Sequence, residues 1–476
     1  MDTIWPSEAL AKARPKYKAV VSMIRDRISA GQLQPGEKLP PVRELAWLLK
    51  ITPGTVARAY TVLTDCGVLQ AEVGRGTFVS EPDVALSHGI DAPPLNLVER
   101  ELGRDGAADE PETVNLFSPH LPDGGQSQLI CQLLAQVAEN PPSGVMHYPS
   151  RYSAKSAREA MVLWLRGSPT GAITQDDIVL CHGGQNGIML VFQTILRGRR
   201  PVIFVEELCY PGFRRAGEML RADIVSIKCD NLGIVPEALA EASRQHPEGQ
   251  ILCTSPEVHS PTCGFTPTAR RREIVSIARK ADLQILEDDC YRMGRAQGEG
   301  YRQLAPERGW YVTSLSKSVT PALRFGCAVG PKGMSNALHR AAEQSFFGLA
   351  TPMVDLAAAL LSHPKIEDVM DRSRAGVEAY VKCAVNTLGS FDLHWRRDVP
   401  FIWLLLPRGW RASAFCQAAE KRGIQVRAAE EFAGRDCATP HAVRMAINGG
   451  VPLARFEKAM ESLRDLLEDP RDQISV

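Results

Sequence analysis

The sequence predicts an α/β protein in two folded parts: a small head of three helices and a hairpin, then a large body built on a mostly parallel sheet. Three observations carry that expectation. Seven short apolar runs, DIVLC (177–181), PVIFV (201–205), DIVSI (223–227), QILCT (250–254), LQILE (283–287), WYVTS (310–314) and FGCAVG (325–330), alternate with helical stretches, the pattern of parallel strands with crossover helices. The first 80 residues hold eleven Lys/Arg against seven acids. Residues 81–113 hold nine acids and two Arg, with several Pro and Gly and few large apolar side chains, a composition that cannot bury a core. The expected organisation is a basic head over 1–82, an acidic flexible linker over 83–113 and a body over 114–476.

Composition excludes several classes. At 476 residues, 44% hydrophobic and 23% charged, the chain has room for about three domain-sized units. Lys+Arg and Asp+Glu both number 55, so the basic character of the head is local. No run approaches the roughly 18 apolar residues of a membrane span, and the first residues, MDTIWPSEALAKARPKYK, lack a signal-peptide core. Twelve cysteines occur without a C-x-x-C pair or a Cys/His cluster at zinc spacing, which points to reduced thiols in a cytoplasm and to no metal.

In the head, YKAVVSMIRDRISAG places Tyr17, Val20, Ile24 and Ile28 on one helical face, and Gly31 supplies the stop. PPVRELAWLLK predicts a second, short helix with Pro41 in its first turn and Leu45, Leu48 and Leu49 inward. TPGTVARAYTVLTDCG predicts the third, with Thr52 as N-cap, Pro53 at the first helical position, Val56, Tyr60 and Leu63 as the buried stripe, and Gly67 as the C-terminal stop. VLQAEV and TFV, joined by the turn GRG, predict a hairpin. This is the winged helix-turn-helix layout, which sets the third helix in a major groove and the wing beside the backbone. Thr55 and Arg58 lie on the outer face of that helix, Arg43 opens the second, and Arg75 extends the wing; guanidinium groups read guanine, and hydroxyls suit phosphates. On periodicity and charge alone, a protein-interaction module with solvating basic residues is the alternative.

The wording of the segment is more specific. GQLQPGEKLPPVRELAWLLKITPGTVARAYTVLTDCGVLQAEVGRGTFV resembles the DNA-binding domain of the GntR family, with its LPsvReLA stretch, TV-x-rAY recognition helix and GrGtfV wing. The resemblance implies double-stranded operator DNA as partner, and DNA contacts at the positions of Arg43, Thr55, Arg58 and Gly76.

In the body, chemistry is expected where parallel strands end. LEDDCY brings Asp288 and Tyr291, SLSK brings Ser314, Ser316 and Lys317, Arg324 follows seven residues after the lysine, and CHGGQNG opens a helix. Backbone N–H groups at Gly183, Gly184 and Gln185 can seat a phosphate, with Arg324 and the serines neutralising it. A lysine beside a cation has a lowered pKa and can form a Schiff base with an aldehyde. A buried aspartate can keep a pyridine nitrogen protonated. Each piece alone has an ordinary explanation: a tight turn, a helix cap, a solvated lysine. Together, in this order, they describe a site for pyridoxal 5′-phosphate.

Residues from about 114 to 465 resemble the fold-type I aminotransferases, and their fusion to a GntR head resembles the MocR subfamily of bacterial regulators. By motif, the resemblance implies that Lys317 in SLSKSVTPALRFG forms the Schiff base, Asp288 pairs with the pyridine nitrogen, and Tyr291 hydrogen-bonds the ring oxygen. It assigns Gly184, Gln185, Ser314 and Arg324 to phosphate, and Tyr210 in VEELCYPGF to the ring. Tyr148 would reach the phosphate from a neighbouring subunit, and Arg444 in VRMAING would grip a substrate or effector carboxylate. It further implies a homodimer in which the head of one chain packs on the body of the other.

The chain departs from the family pattern at three places. HSPTCGF stands where an NPTG turn supplies an Asn, putting Ser260 or His259 there; YPSRYSAKSA lacks the usual glycine; EELCY has leucine where proline is common. The first departure bears on amino transfer more than on cofactor binding. The expected function is a transcriptional regulator that senses pyridoxal 5′-phosphate, a small amino compound, or both. A working aminotransferase with an accessory DNA-binding head is the alternative, and a direct sensor of the cofactor that controls vitamin B6 supply is a third reading.

Overall fold

The computed structural model describes residues 16–65, 68–72, 76–79, 113–434 and 437–468. The chain divides into two compact units, residues 1–93 and 94–476. The expected linker over 83–113 lies outside the described residues apart from Thr113, as do Gly67 and Arg75.

The head contains helices α1 (Lys16–Ser29), α2 (Val42–Leu48) and α3 (Pro53–Asp65), followed by β1 (Leu69–Glu72) and β2 (Gly76–Val79). The strands pair antiparallel, Leu69 opposite Val79. Its core joins Val20 and Ile24 of α1, Leu45 and Leu49 beside α2, and Val56, Tyr60 and Leu63 of α3, the stripes that helical spacing selects. Gly31 takes the left-handed conformation (φ +69°) that ends α1. The Tyr60 hydroxyl donates to the Pro40 carbonyl at 2.7 Å, tying α3 to the α2 entry.

The body is organised on seven strands: β3 (Ile178–Cys181), β4 (Val202–Glu206), β5 (Asp223–Ile227), β6 (Gly249–Thr254), β7 (Gln284–Asp288), β8 (Gly309–Ser314) and β9 (Gly326–Val329). They lie in the order β3-β9-β8-β7-β6-β4-β5. All seven apolar runs read from the sequence are therefore strands of one sheet. Only β9 is antiparallel to its neighbours. Alternate residues leave opposite faces: Ile203 and Val205 pack with Ile188, Val191 and Phe192 of α4 (Gly183–Ile195) and Phe213 of α5 (Pro211–Met219). Val202 and Phe204 pack with Ile274, Val275 and Ala278 of α6 (Thr268–Lys280). A sheet covered on both faces needs apolar residues at nearly every position, which is why these strands appear as continuous runs.

The C-terminal part carries a four-stranded antiparallel sheet, β10 (Asp392–His394), β11 (Phe401–Leu405), β12 (Arg427–Ala428) and β13 (Ala442–Ala446), in the order β10-β11-β13-β12. Helices α7 (Ile366–Leu388) and α8 (Leu453–Glu468) bury Val377, Val381, Phe456 and Leu463 in the core beside it. The first described residues of the body belong here too: Val114–Asn115 pairs with Ile424–Gln425. Among the described residues no helix is long and apolar enough to cross a membrane.

Candidate functional site

The carboxyl ends of the parallel strands open on a cleft. Lining it are Gly184, Gln185, Tyr210, Asp288, Tyr291, Ser314, Ser316, Lys317 and Arg324, each singled out in the sequence, together with Ile188 and Cys290. Topology explains the convergence. β3 ends at Cys181 before α4, β7 ends at Asp288 and β8 at Ser314. Because β9 is antiparallel, its first residue pairs with the last residues of both neighbours, Gly326 with Cys181 and with Ser314. Arg324, two residues earlier, is thereby carried to the same edge.

One end of the cleft gathers the start of α4, Ser314, Ser316 and Arg324. Gly183 has φ +79°, and a Cβ there would come within 3.0 Å of Arg324 Nη2. A Cβ on Gly184 would come within 2.5 Å of Cys290 Sγ, so both glycines are sterically required. The first N–H groups of a helix have no partner within it, and α4 directs them where Arg324 lies. Arg324 itself has φ +46°, and its guanidinium donates to Ser316 Oγ at 3.2 Å and to the His182 carbonyl at 3.4 Å. The Gln185 side chain is committed to the Gly212 carbonyl at 3.1 Å, which leaves its backbone N–H as the group available to an anion.

At the other end Lys317 Nζ donates to the Pro119 carbonyl at 3.2 Å. Removal from water, with Arg444 and Arg324 nearby, pulls the Lys317 ammonium down to about 8. Burial pushes Asp288 up to about 6, against the backbone N–H of Cys290, which donates to its carboxylate at 3.1 Å. Tyr291 is buried edge-on to Phe401, ring centroids 5.0 Å apart.

Arg444 does not line the cleft but stands next to it, 1% exposed, with its guanidinium 5.2 Å from the Phe401 ring centre and 4.8 Å from that of Phe432. Its Nη1 donates to Ser260 Oγ at 3.1 Å and its Nη2 to the Phe117 carbonyl at 2.8 Å, while Nε has no acceptor. Among the described residues no carboxylate pairs with it. Burial lowers its pKa.

The HSPTCG turn has a definite outcome. Ser260 is taken up by Arg444. His259 is held between Thr262 Oγ1 (2.6 Å), the Leu208 carbonyl (2.9 Å) and the buried Glu206 carboxylate (3.4 Å); Glu206 holds its pKa above the ordinary histidine value against the opposing effect of burial. Neither lines the cleft, so the missing Asn has no replacement in it.

Tyr148 also stands outside the cleft. It is 85% exposed, beside an equally bare Phe347 with ring centroids 6.2 Å apart, on a surface that includes Val145, Met146 and Tyr152.

In the head, Thr55 and Arg58 line a shallow concavity with Lys16, Tyr17, Thr52 and Gly54. Arg58 lies 4.4 Å from the ring centre of Tyr17, which is half-buried against the head core and also supports the cation. Arg43 is exposed on α2, one turn before a bare Trp47. Gly76 has φ +124°, and the Lys38 stem fills the space a Cβ would need, 2.7 Å away. The exposure of Trp47 was not legible, because a large aromatic side chain on a short helix is ordinarily buried and only the packing of the head leaves it bare.

A helix-turn-helix head and a lysine cleft at the edge of a mostly parallel sheet define the class: a GntR-type DNA-binding domain joined to a fold-type I aminotransferase domain. Residues 111–463 match the family model for aminotransferase class I and II, and residues 16–79 match that for bacterial regulatory proteins of the gntR family. The chain belongs to the class I and II aminotransferase family and carries the GntR head of the MocR-type architecture. It is 28% identical over 477 residues to the HTH-type transcriptional regulator YdeF of Bacillus subtilis, covering 98% of this chain and 97% of that one. It is 28% identical over 426 residues to PtsJ of Salmonella typhimurium, a vitamin B6 salvage pathway transcriptional repressor, covering 87% and 90%. Among solved structures, a kynurenine aminotransferase from Pyrococcus horikoshii matches the fold with a TM-score of 0.68 at 20% identity, over 82% of this chain and 96% of that one.

Proposed function

We propose that this protein is a transcriptional regulator whose head binds operator DNA and whose body binds pyridoxal 5′-phosphate and a carboxylate-bearing amino compound. The observation that carries this reading is the occurrence in one chain of a GntR head with Thr55 and Arg58 on an open face and a body whose cleft gathers Lys317, Asp288 and Arg324. The regulator names of its relatives support it.

The cleft fits the cofactor. The N–H groups from Gly183 to Gln185, with Ser314, Ser316 and Arg324, would hold the phosphate. Asp288 would face the ring nitrogen, Tyr291 the ring oxygen, and Tyr210 the ring. When bound, pyridoxal 5′-phosphate supplies an aldehyde open to amines and a ring that withdraws electrons. Lys317, at about 8, keeps roughly a tenth of its amine unprotonated at pH 7. Arg444 presents an unpaired buried cation to a carboxylate, which would replace two neutral acceptors by a charged one.

A ligand changes DNA binding only by favouring one state of the protein over another, and the 83–113 linker is where that difference would be passed on. The bare surface around Tyr148 and Phe347 supports a homodimer, which would match paired DNA half-sites. A residual amino-transfer half-reaction is the second reading, favoured by the retention of Lys317, Asp288 and Arg444 and opposed by the turn at Ser260.

The test combines two readouts on the full chain. Selected operator DNA is titrated with and without pyridoxal 5′-phosphate and a panel of amino acids, and the visible spectrum is recorded in parallel. A cofactor band, and DNA affinity that changes with an added amine, are expected. A band that decays to the amine form of the cofactor while DNA affinity stays constant would favour the enzyme.

A further inference from the structure

A short stretch of the protein's own backbone occupies the two cations that a ligand of the cleft would need. Residues 113–122 follow directly on the acidic stretch that leads from the head. They are tied down at two places. On one side the Val114 N–H donates to the Gly423 carbonyl at 2.7 Å, the Leu116 N–H to the Gln425 carbonyl at 2.9 Å, and the Leu116 carbonyl accepts from Ala446 at 2.8 Å. On the other, the His120 N–H donates to the Ile447 carbonyl at 2.9 Å and its carbonyl accepts from Gly449 at 2.7 Å.

Between these anchors the carbonyls of residues 117 and 119 turn to the site. The Phe117 carbonyl accepts from Arg444 Nη2 at 2.8 Å, and the Pro119 carbonyl accepts from Lys317 Nζ at 3.2 Å. Proline at 119 has no N–H to give to a ladder, and the Phe117 N–H closes a local turn on Asn115 Oδ1 at 2.9 Å. The arc is thus held at its ends by the sheet and in its middle by two cationic donors.

Both contacts are of a kind that a ligand outcompetes. A carboxylate is a stronger acceptor for a guanidinium than an amide carbonyl, and an unprotonated amine that condenses with an aldehyde, forming a C=N bond while the aldehyde oxygen leaves as water with the two amine hydrogens, no longer offers an ammonium to a carbonyl. We propose that the arc 117–119 is an internal placeholder: it satisfies Arg444 and Lys317 in the empty protein, and it is released stepwise, at Pro119 by pyridoxal 5′-phosphate and at Phe117 by the carboxylate of an amino compound. This rests on the cofactor reading above and adds to it the part of the chain that registers occupancy. A displaced carbonyl must find water, so release opens the arc to solvent.

Hydrogen–deuterium exchange on the full chain tests this, with loading followed by the visible band. Exchange at the amides of Phe117, Ser118, His120 and Leu121 is expected to rise about tenfold or more on saturation with pyridoxal 5′-phosphate, since local opening there loses a charge-assisted hydrogen bond. Lys317→Ala, without cofactor, is expected to show the same rise, and Arg444→Met to raise exchange at Phe117 and Ser118. A visible band with unchanged exchange overturns the placeholder and leaves the cofactor reading standing. Unchanged exchange in Lys317→Ala also overturns it. Absence of any band at saturating cofactor removes the cofactor reading and the placeholder with it.

Discussion

Asp288 and Asp289 are adjacent in the chain and face different surroundings. β7 ends with the Asp288 carboxylate in the cleft. The Asp289 carboxylate instead accepts from the Tyr311 hydroxyl at 2.6 Å and from Arg292 Nε at 2.7 Å. One acid is left to a ligand, and the other clamps the loop after the strand. The sequence LEDDCY offers both; the alternation of side chains along an extended backbone separates them.

The buried Asp288 carboxylate costs the protein stability when no cofactor is bound. Burial holds Asp288 near 6, above its unfolded value, so the folded state binds the proton more tightly and stability falls as pH rises from about 4 to 6. Asp288→Asn is expected to stabilise the cofactor-free protein by about 1–3 kcal/mol at pH 7, with the gain vanishing toward pH 4. Thermal denaturation across that range checks it, and an Asn variant less stable at pH 7 would refute it. The same variant is expected to bind pyridoxal 5′-phosphate more weakly.

Lys317 is expected to set the pH dependence of cofactor capture. Its amine gains reactivity as it loses its proton around pH 8, whereas an ordinary lysine would do so near 10.4. The rate at which the visible band appears is expected to climb between pH 7 and 9 with a midpoint of about 8. Lys317→Ala is expected to show no band at all. A midpoint near 10 would mean that Lys317 is not the reacting amine.

Arg444 is expected to contribute to ligand binding rather than to stability. Its charge is buried without a carboxylate partner, so the cost of taking it out of water is offset only by neutral acceptors. Arg444→Met is expected to keep or raise the melting temperature while weakening binding of amino acids by about 30-fold or more, the equivalent of 2 kcal/mol. Amines without a carboxylate are expected to bind as before. Calorimetry with an amino acid and its decarboxylated counterpart separates the two effects.

Arg58 and Gly76 test the head. Removing one phosphate contact lowers the slope of log affinity against log salt by about one, which is the expected outcome of Arg58→Ala if that side chain meets the backbone. A change in sequence preference at one position would instead mark a base contact. Gly76→Val puts a branched side chain at φ +124° into the Lys38 stem and is expected to weaken DNA binding with the body's cofactor band intact.

The bare aromatic pair Tyr148 and Phe347 is expected to be covered in a dimer. Phe347→Glu should shift sedimentation toward the monomer and lower cofactor affinity together, because Tyr148 would then no longer reach a second cleft. Dissociation with unchanged cofactor affinity would remove Tyr148 from the site.

The sequence by itself determined the strands, the head and most of the cleft. Continuous apolar runs can only be strands covered on both faces or buried helices, and their short length with turn residues between them decides the matter. Residues at strand ends, Asp288, Ser314, Lys317 and the glycines before α4, were legible because a parallel sheet brings such ends to one edge. The direction of β9 was not legible, since an apolar run carries no sign of which way it points; yet that reversal is what brings Arg324 to the glycines at the start of α4. Nor could the sequence decide between His259 and Ser260, which Glu206 and Arg444 claim from distant elements. The approach of residues 117–119 to Lys317 and Arg444 joins positions about 200 and 330 residues apart. Contacts of that range are decided by tertiary packing, because carbonyl groups are present at every residue and only the fold selects which of them meet a cation.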